Sequence, residues 1–168
     1  MRRFLAAVPL ALAMALIHQA PSAVAEETGW PQHGKPFQLE SLDPQHKNQC
    51  ITIQRDEVDR HNIMVVRACA EPGTSAIQAQ TLRAIDPGKT SRIKNDKAGG
   101  CLYIEHVLSC AETDAQKWTY DPTTKQASTK TATGSVECWM PVGEGLTIYP
   151  CTKKNAAKKL RWEIRPLD

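Results

Sequence analysis

The chain has 168 residues, 23% of them charged, with a formal charge of +3 at pH 7. Setting aside the N-terminal segment described next removes Arg2 and Arg3 and leaves 19 basic against 18 acidic side chains. Such a balance gives no footing for nucleic acid or an anionic membrane as partner, while the length suffices for one domain with a real core.

Residues 1–25 read as a secretory signal peptide. "MRRFL" supplies the positive start, "AAVPLALAMALI" the apolar middle and Ala23 to Ala25 the small-residue cleavage pattern, with the cut predicted before Glu26. The apolar run is too short for a transmembrane helix, no cysteine follows it to take a lipid, and no later segment is apolar enough to span a bilayer. The expected destination is the periplasm or the exterior of the cell. Residues 26–35, "EETGWPQHGK", are polar with Gly and Pro and are expected to form a loose leader, in which Trp30 has no legible partner. The folded domain is expected over residues 36–168.

From Pro36 onward the chain is a series of short apolar pieces separated by turn signals. "PFQLESL", "QCITIQ", "NIMVVRAC", "QTLRAI", "SRIKN", "CLYIE", "HVLSC", "QKWTY", "ECWMP", "LTIYPC" and "LRWEI" are rich in Ile, Val, Thr, Tyr and Trp. Turns such as "DPGKTS", "DPTT" and "GEG" lie between them. This pattern predicts an all-β sandwich or barrel. The single window with some helical period is "GTSAIQAQTL".

Aligned on its cysteines, the chain repeats three times. The blocks read "QCITI…MVVRAC…AIQAQTL", "GCLYI…HVLSC…DAQKW" and "ECWMP…LTIYPC…KKLRW". Each opens one strand with a cysteine, closes the next with another, and then carries a triplet: Gln80-Thr81-Leu82, Gln116-Lys117-Trp118 and Leu160-Arg161-Trp162. Each block has an earlier strand as well ("PFQLES", "SRIKND", "QASTKT"), giving three four-stranded repeats. A unit of about 40 residues cannot bury its apolar face alone, whereas three around an axis can. The last residue of each triplet, Leu82, Trp118 or Trp162, is therefore expected in a shared core, with the glutamine bonding backbone in the adjoining turn. Six cysteines allow fifteen pairings. The repeat favours one disulfide per block, Cys50–Cys69, Cys101–Cys110 and Cys138–Cys151, each stabilising by about 2–3 kcal/mol through the unfolded state.

The block "GGCLYIEHVLSCAETDAQKWTYD", with its Gly-x-Cys-Leu, second cysteine and Gln-x-Trp, resembles the ricin B-type lectin family, and the likeness extends from about Pro36 to Pro166. The resemblance implies a β-trefoil with pseudo-threefold symmetry and binding of galactose and related sugars. An exported chain of bacterial character carrying one such domain also resembles the A and C subunits of cytolethal distending toxins, trefoils that deliver an enzymatic partner. In the family an aspartate two residues after the first cysteine of a block contacts sugar, and an asparagine precedes the Gln-x-Trp glutamine. Here those positions hold Thr52, Tyr103 and Met140, and Ala79, Ala115 and Lys159.

A sugar needs polar groups for its hydroxyls and a platform for its apolar face. The long loop "QRDEVDRHN" offers Asp56, Glu57, Asp59, His61 and Asn62 as a replacement set beside Thr52 and Gln80, or else forms a solvated hairpin tip. The third block offers Trp139 as an exposed platform near Glu144 and Tyr149, or else as a core contact. The tail "KKNAAKKLRWEIR" reads as a solvated face, because its spacing carries no further pattern.

Catalysis and metal binding find no support. No serine lies in Gly-x-Ser-x-Gly, no glycine-rich phosphate loop occurs, and the cysteine near His106 is expected in a disulfide. Without Cys-x-x-Cys or histidines at finger spacing, neither zinc nor any other cofactor is expected. Two functions remain: an exported lectin-like module that recognises a glycan or glycoprotein, in a toxin or virulence setting, or a protein-interaction trefoil acting as toxin subunit, inhibitor or effector without sugar binding.

Overall fold

A computed structural model describes residues 29–111 and 116–167. The signal peptide and leader residues 26–28 lie outside the described residues, as does Ala115.

Among the described residues thirteen strands account for nearly all regular structure. They are β1 (Pro36–Ser41), β2 (Gln49–Arg55), β3 (Asn62–Ala68), β4 (Leu82–Ala84), β5 (Thr90–Ser91), β6 (Ile93–Asn95), β7 (Cys101–Tyr103), β8 (His106–Leu108), β9 (Trp118–Asp121), β10 (Gln126–Lys130), β11 (Val136–Val142), β12 (Gly145–Pro150) and β13 (Trp162–Pro166). β5 and β6 are one strand interrupted at Arg92, whose backbone N–H leaves the ladder for the Asp86 carboxylate at 2.8 Å. The count is therefore four strands in each of three repeats. Within "GTSAIQAQTL" only Ile77–Gln80 is helical, a single turn (α1). Short 3-10 turns occupy Pro44–His46 and Lys154–Ala156.

The first and last strands of each repeat form a barrel. β1 pairs with β13 and β4, β4 with β6, β5 with β9, and β9 with β10. The circuit closes where Trp162 N donates to Lys125 O at 2.7 Å. The second and third strands form three hairpins, β2–β3, β7–β8 and β11–β12. These meet one another through Ile63 opposite His106 and Val65 opposite Gly145. A six-stranded barrel capped by three hairpins is the β-trefoil.

Alternation explains the barrel's sidedness. In β9 Trp118 and Tyr120 face in and Thr119 and Asp121 face out; in β10 Ala127 and Thr129 face in. The core gathers Phe37, Leu39, Ile51, Leu82, Ile93 and Leu102 with the indoles of Trp118, Trp139 and Trp162, all without exposed surface. All three triplet termini are thus buried, as the repeat predicts. Turn chemistry matches the sequence as well: Asp121 Oδ1 caps the "DPTT" turn through Thr123 N at 2.8 Å.

The three disulfides are Cys50–Cys69, Cys101–Cys110 and Cys138–Cys151, one per repeat. The two glutamines of the triplets also act as expected. Gln80 Nε2 donates to Ala68 O and Gln80 Oε1 accepts from Ala70 N, while Gln116 Oε1 accepts from Ile104 N.

The leader departs from expectation. Trp30 is 9% exposed, stacks on Phe37 at 5.6 Å, leans on Tyr120 at 5.5 Å, and donates its Nε1 to Trp118 O at 2.7 Å. Gly34 N is bonded to Ala84 O, and Arg83 holds Gly34 O. From residue 29 the leader is therefore part of the body, because its indole gains more by burial among aromatic rings than it loses in chain freedom.

Candidate functional site

In two repeats, the first and the third, internal contacts take up most of the positions around which the resemblance places sugar. In the first repeat Gln80 is 2% exposed and forms a closed network. Its Oε1 accepts from Gln38 Nε2 and Ala70 N, both at 2.7 Å, and its Nε2 donates to Thr52 Oγ1 and Ala68 O, both at 2.9 Å. Thr52 in turn donates to Cys50 O. Gln80 is thus a structural amide rather than a ligand contact, since its carbonyl and amide are spent inside the fold.

In the third repeat the positions equivalent to Thr52 and Gln80 are apolar, Met140 and Leu160. Leu160 stands where the other repeats have glutamine and packs with Cys138 and Ala156, against Met140, Tyr149 and Cys151. Trp139 is not an exposed platform. It is fully buried, stacks on Trp118, and donates Nε1 to Ile104 O at 3.1 Å. The register also separates its proposed companions. Tyr149 lies opposite Cys138 near the base of the third hairpin, whereas Glu144 lies in the turn at its tip and binds Arg67 at 3.0 Å.

The long first hairpin behaves differently at its two ends. Asp56 shapes the tip: its Oδ1 accepts from Val58 N at 2.8 Å and Asp59 N at 2.9 Å. Those backbone N–H groups of Asp59 and Val58 hold its carboxyl below the usual range, with His61 adding to the effect. Glu57 and Asp59 are exposed beside it. Asp56 N then donates to His61 O at 2.7 Å, which turns the chain back into β3.

That return stroke places His61 and Asn62 against the second hairpin. Arg60, His61 and Asn62 line one wall of a cleft, and His106, Val107 and Leu108 the other, enclosing about 360 Å³. The imidazoles of His61 and His106 meet edge to face with centroids 6.3 Å apart, and both are exposed. Arg60 adopts φ +58° to reach this position. The second hairpin turns tightly through Ile104, a β-branched residue at φ +40°. Three bonds hold that turn: Ile104 O accepts from Trp139, Ile104 N donates to Gln116, and Glu105 O accepts from Met64 N. One wall of the cleft is therefore rigid.

Chemically, the cleft offers a guanidinium, two imidazoles and an amide for hydroxyl groups, with the apolar flanks of Val107 and Leu108 for a C–H face. Among the described residues no group of three His, Cys, Asp or Glu side chains converges on a point where a metal ion would sit. Of the residues singled out in the sequence, the structure brings His61 and Asn62 together here. It leaves Asp56, Glu57 and Asp59 at the tip and keeps Thr52, Gln80, Trp139, Glu144 and Tyr149 elsewhere. His106 and Arg60 complete the cleft, and no spacing signals them, because the cleft lies between repeats.

No family model and no curated protein matches the chain. Solved structures do. The β-trefoil lectin of the Vibrio vulnificus hemolysin/cytolysin, solved with N-acetyl-D-lactosamine bound, aligns with a TM-score of 0.60 at 17% identity, over 80% of this chain and 96% of that one. The Polyporus squamosus lectin, bound to the epitope Neu5Acα2-6Galβ1-4GlcNAc, aligns at 0.58 and 14% identity, over 82% of this chain. The GlcNAcα1-4Gal-releasing endo-β-galactosidase of Clostridium perfringens aligns at 0.60 and 11% identity, over 83%. The chain spans 51% of the Polyporus lectin and 34% of the galactosidase. At these identities the likeness is one of fold: the chain is a β-trefoil of the kind found in these lectins.

Proposed function

We propose that the protein is an exported carbohydrate-binding trefoil that takes a glycan or glycosylated surface in the cleft between its first and second hairpins. The observation that carries this reading is the convergence of Arg60, His61, Asn62 and His106 on an open cleft of about 360 Å³. In the first repeat, by contrast, Thr52 and Gln80 are engaged in internal bonds, and in the third Met140 and Leu160 make apolar contacts. Glycan-bound neighbours of the same fold support a saccharide as ligand. Three disulfides and the signal-like residues 1–25 support export. The neighbour from a hemolysin/cytolysin is in keeping with a virulence setting.

A glycan array with the oxidised protein tests the proposal. His61→Ala and Asn62→Ala are each expected to weaken binding about tenfold, the value of one good polar contact. Both positions are outside the core, so the fold remains as a control.

One feature favours a second reading, a protein-interaction trefoil without sugar binding. The first repeat's sugar position is closed by the Gln80 network, while Val58 at the first hairpin tip is 88% exposed and Val142 at the third is 54% exposed. A silent array together with a protein partner whose capture fails with Val58→Asp would establish that reading in place of the first.

A further inference from the structure

A groove separate from the hairpin cleft lies between the first and third repeats. Pro44 and Gln45, after β1, face Lys154, Asn155, Lys158 and Lys159, between β12 and β13, around about 430 Å³. We propose that this groove binds an anionic saccharide, one bearing sulfate or carboxylate. The proposal rests on the preceding reading only in taking the ligand to be a saccharide; it does not use the hairpin cleft.

Charge is the first argument. Lys153, Lys154, Lys158, Lys159 and Arg161 are all exposed, and no acidic residue occurs from Gly145 to Trp162. Among the described residues none of these five cations has an ion-pair partner, whereas Arg67, Arg83, Arg92, Lys125 and Arg165 each have one. The acid that lines the groove, Asp43, pairs with none of these lysines. Asp43 is 2% exposed, with Oδ1 accepting from Gln45 N at 3.2 Å and Oδ2 engaged by His46 Nδ1 at 2.9 Å. His46 is anchored in turn to Gly143 O at 2.8 Å.

Shape is the second. The lysine loop is held rather than free. Ala156 and Leu160 are buried, and the N–H groups of Lys159 and Leu160 both donate to Ala156 O. This fixes Lys154, Lys158 and Lys159 on one rim while Gln45 and Asn155 supply neutral donors and acceptors for hydroxyls. A groove of this volume suits a small ligand rather than a polymer track. Among the described residues no aromatic side chain lines it to stack a base. Of the positions that the family resemblance assigns to sugar, Lys159 borders the groove, while Thr52, Ala79, Tyr103 and Met140 do not line it.

Titration of the full oxidised protein with a sulfated disaccharide and its desulfated counterpart tests the proposal. The sulfated form is expected to bind at least about tenfold more tightly, as a charge-assisted contact would give. The preference should fade between 0.1 and 1 M salt, as the screening length falls from about 10 to 3 Å. The K154A/K158A/K159A variant should lose the preference and His61→Ala should keep it. Equal affinity for the two disaccharides, or a preference that survives the triple variant, overturns the proposal. Neutral-glycan binding weakened about tenfold by His61→Ala under those conditions leaves the hairpin-cleft reading standing. Equal or tighter binding to DNA or to phosphatidylserine vesicles, lost in the same triple variant, also overturns it by making the groove a general polyanion surface.

Discussion

The indoles of Trp118 and Trp139 stack with ring centroids 3.5 Å apart and planes 25° apart, although they belong to different repeats. Each is tied by its N–H to the second hairpin, Trp118 to Leu102 O and Trp139 to Ile104 O. Trp162 Nε1 reaches Trp139 O at 3.0 Å, and Trp30 Nε1 reaches Trp118 O at 2.7 Å. The four tryptophans thus form a chain in which every buried donor is satisfied by a backbone carbonyl of another strand or turn, a requirement for indoles in a core.

Trp139→Ala is accordingly expected to cost about 3–5 kcal/mol, the usual loss for emptying a buried aromatic site. That is a large share of the 5–15 kcal/mol typical of a domain. Urea unfolding followed by circular dichroism measures it. A variant that unfolds at the parent's midpoint yet fails to bind glycan would return Trp139 to a ligand role.

Trp30→Ala tests the docked leader. The ring packs on Phe37 and Tyr120 beneath the barrel wall, so its removal is expected to cost about 2–4 kcal/mol. Exposure of residues 29–35 to limited proteolysis should rise in parallel. Unchanged stability would mean that the leader is loose in solution.

Much of this architecture is legible in the chain because its signals are local. A strand alternates every two residues, a turn announces itself through Asp-Pro, and each disulfide joins neighbouring strands of one repeat. The burial of Trp139 was available from the same logic. It follows the first cysteine of its block, as Ile51 and Leu102 follow theirs, and all three are fully buried. An isolated tryptophan beside a turn reads as a platform; a tryptophan in register with two aliphatic core residues reads as core. Trp30 and the His61–His106 cleft carry no comparable signal. Their partners lie tens of residues away, and only the closure of three repeats around one axis brings them together.

The Asp86–Arg92 pair predicts a response to acid. Arg92 reaches Asp86 Oδ1 at 2.7 Å, and its guanidinium and then its backbone N–H hold that carboxyl at about 2, against an ordinary 3.8, despite the opposing effect of burial. A carboxyl depressed in the folded state stabilises it fully above the unfolded value, and the benefit is lost as the pH falls through the folded one. The window is therefore pH 4 down to pH 2. Partial exposure of the pair screens the gain to about 1 kcal/mol. Urea midpoints at pH 4 and pH 2 should converge for the parent and Asp86→Asn, with the parent the more stable at pH 4. A constant gap would mean that the ion pair contributes nothing.

Gln80 and Leu160 occupy one position in two repeats and have opposite surroundings, which gives a paired prediction. Gln80 satisfies Gln38 Nε2, Ala70 N, Thr52 Oγ1 and Ala68 O, so Gln80→Leu strands several buried polar groups at once. The expected loss is about 3 kcal/mol, near the upper end for unsatisfied donors and acceptors. Leu160 sits among Cys138, Ala156, Met140 and Tyr149, so Leu160→Gln buries an amide without a partner and is expected to lose a similar amount. Exchanging both residues together should cost nearly the sum of the two, because the sites belong to separate repeats and share no contact. Chemical denaturation of the three variants decides the matter. If Leu160→Gln were neutral, the third repeat would have polar partners within reach of position 160, and its apolar filling would be no barrier to a ligand there.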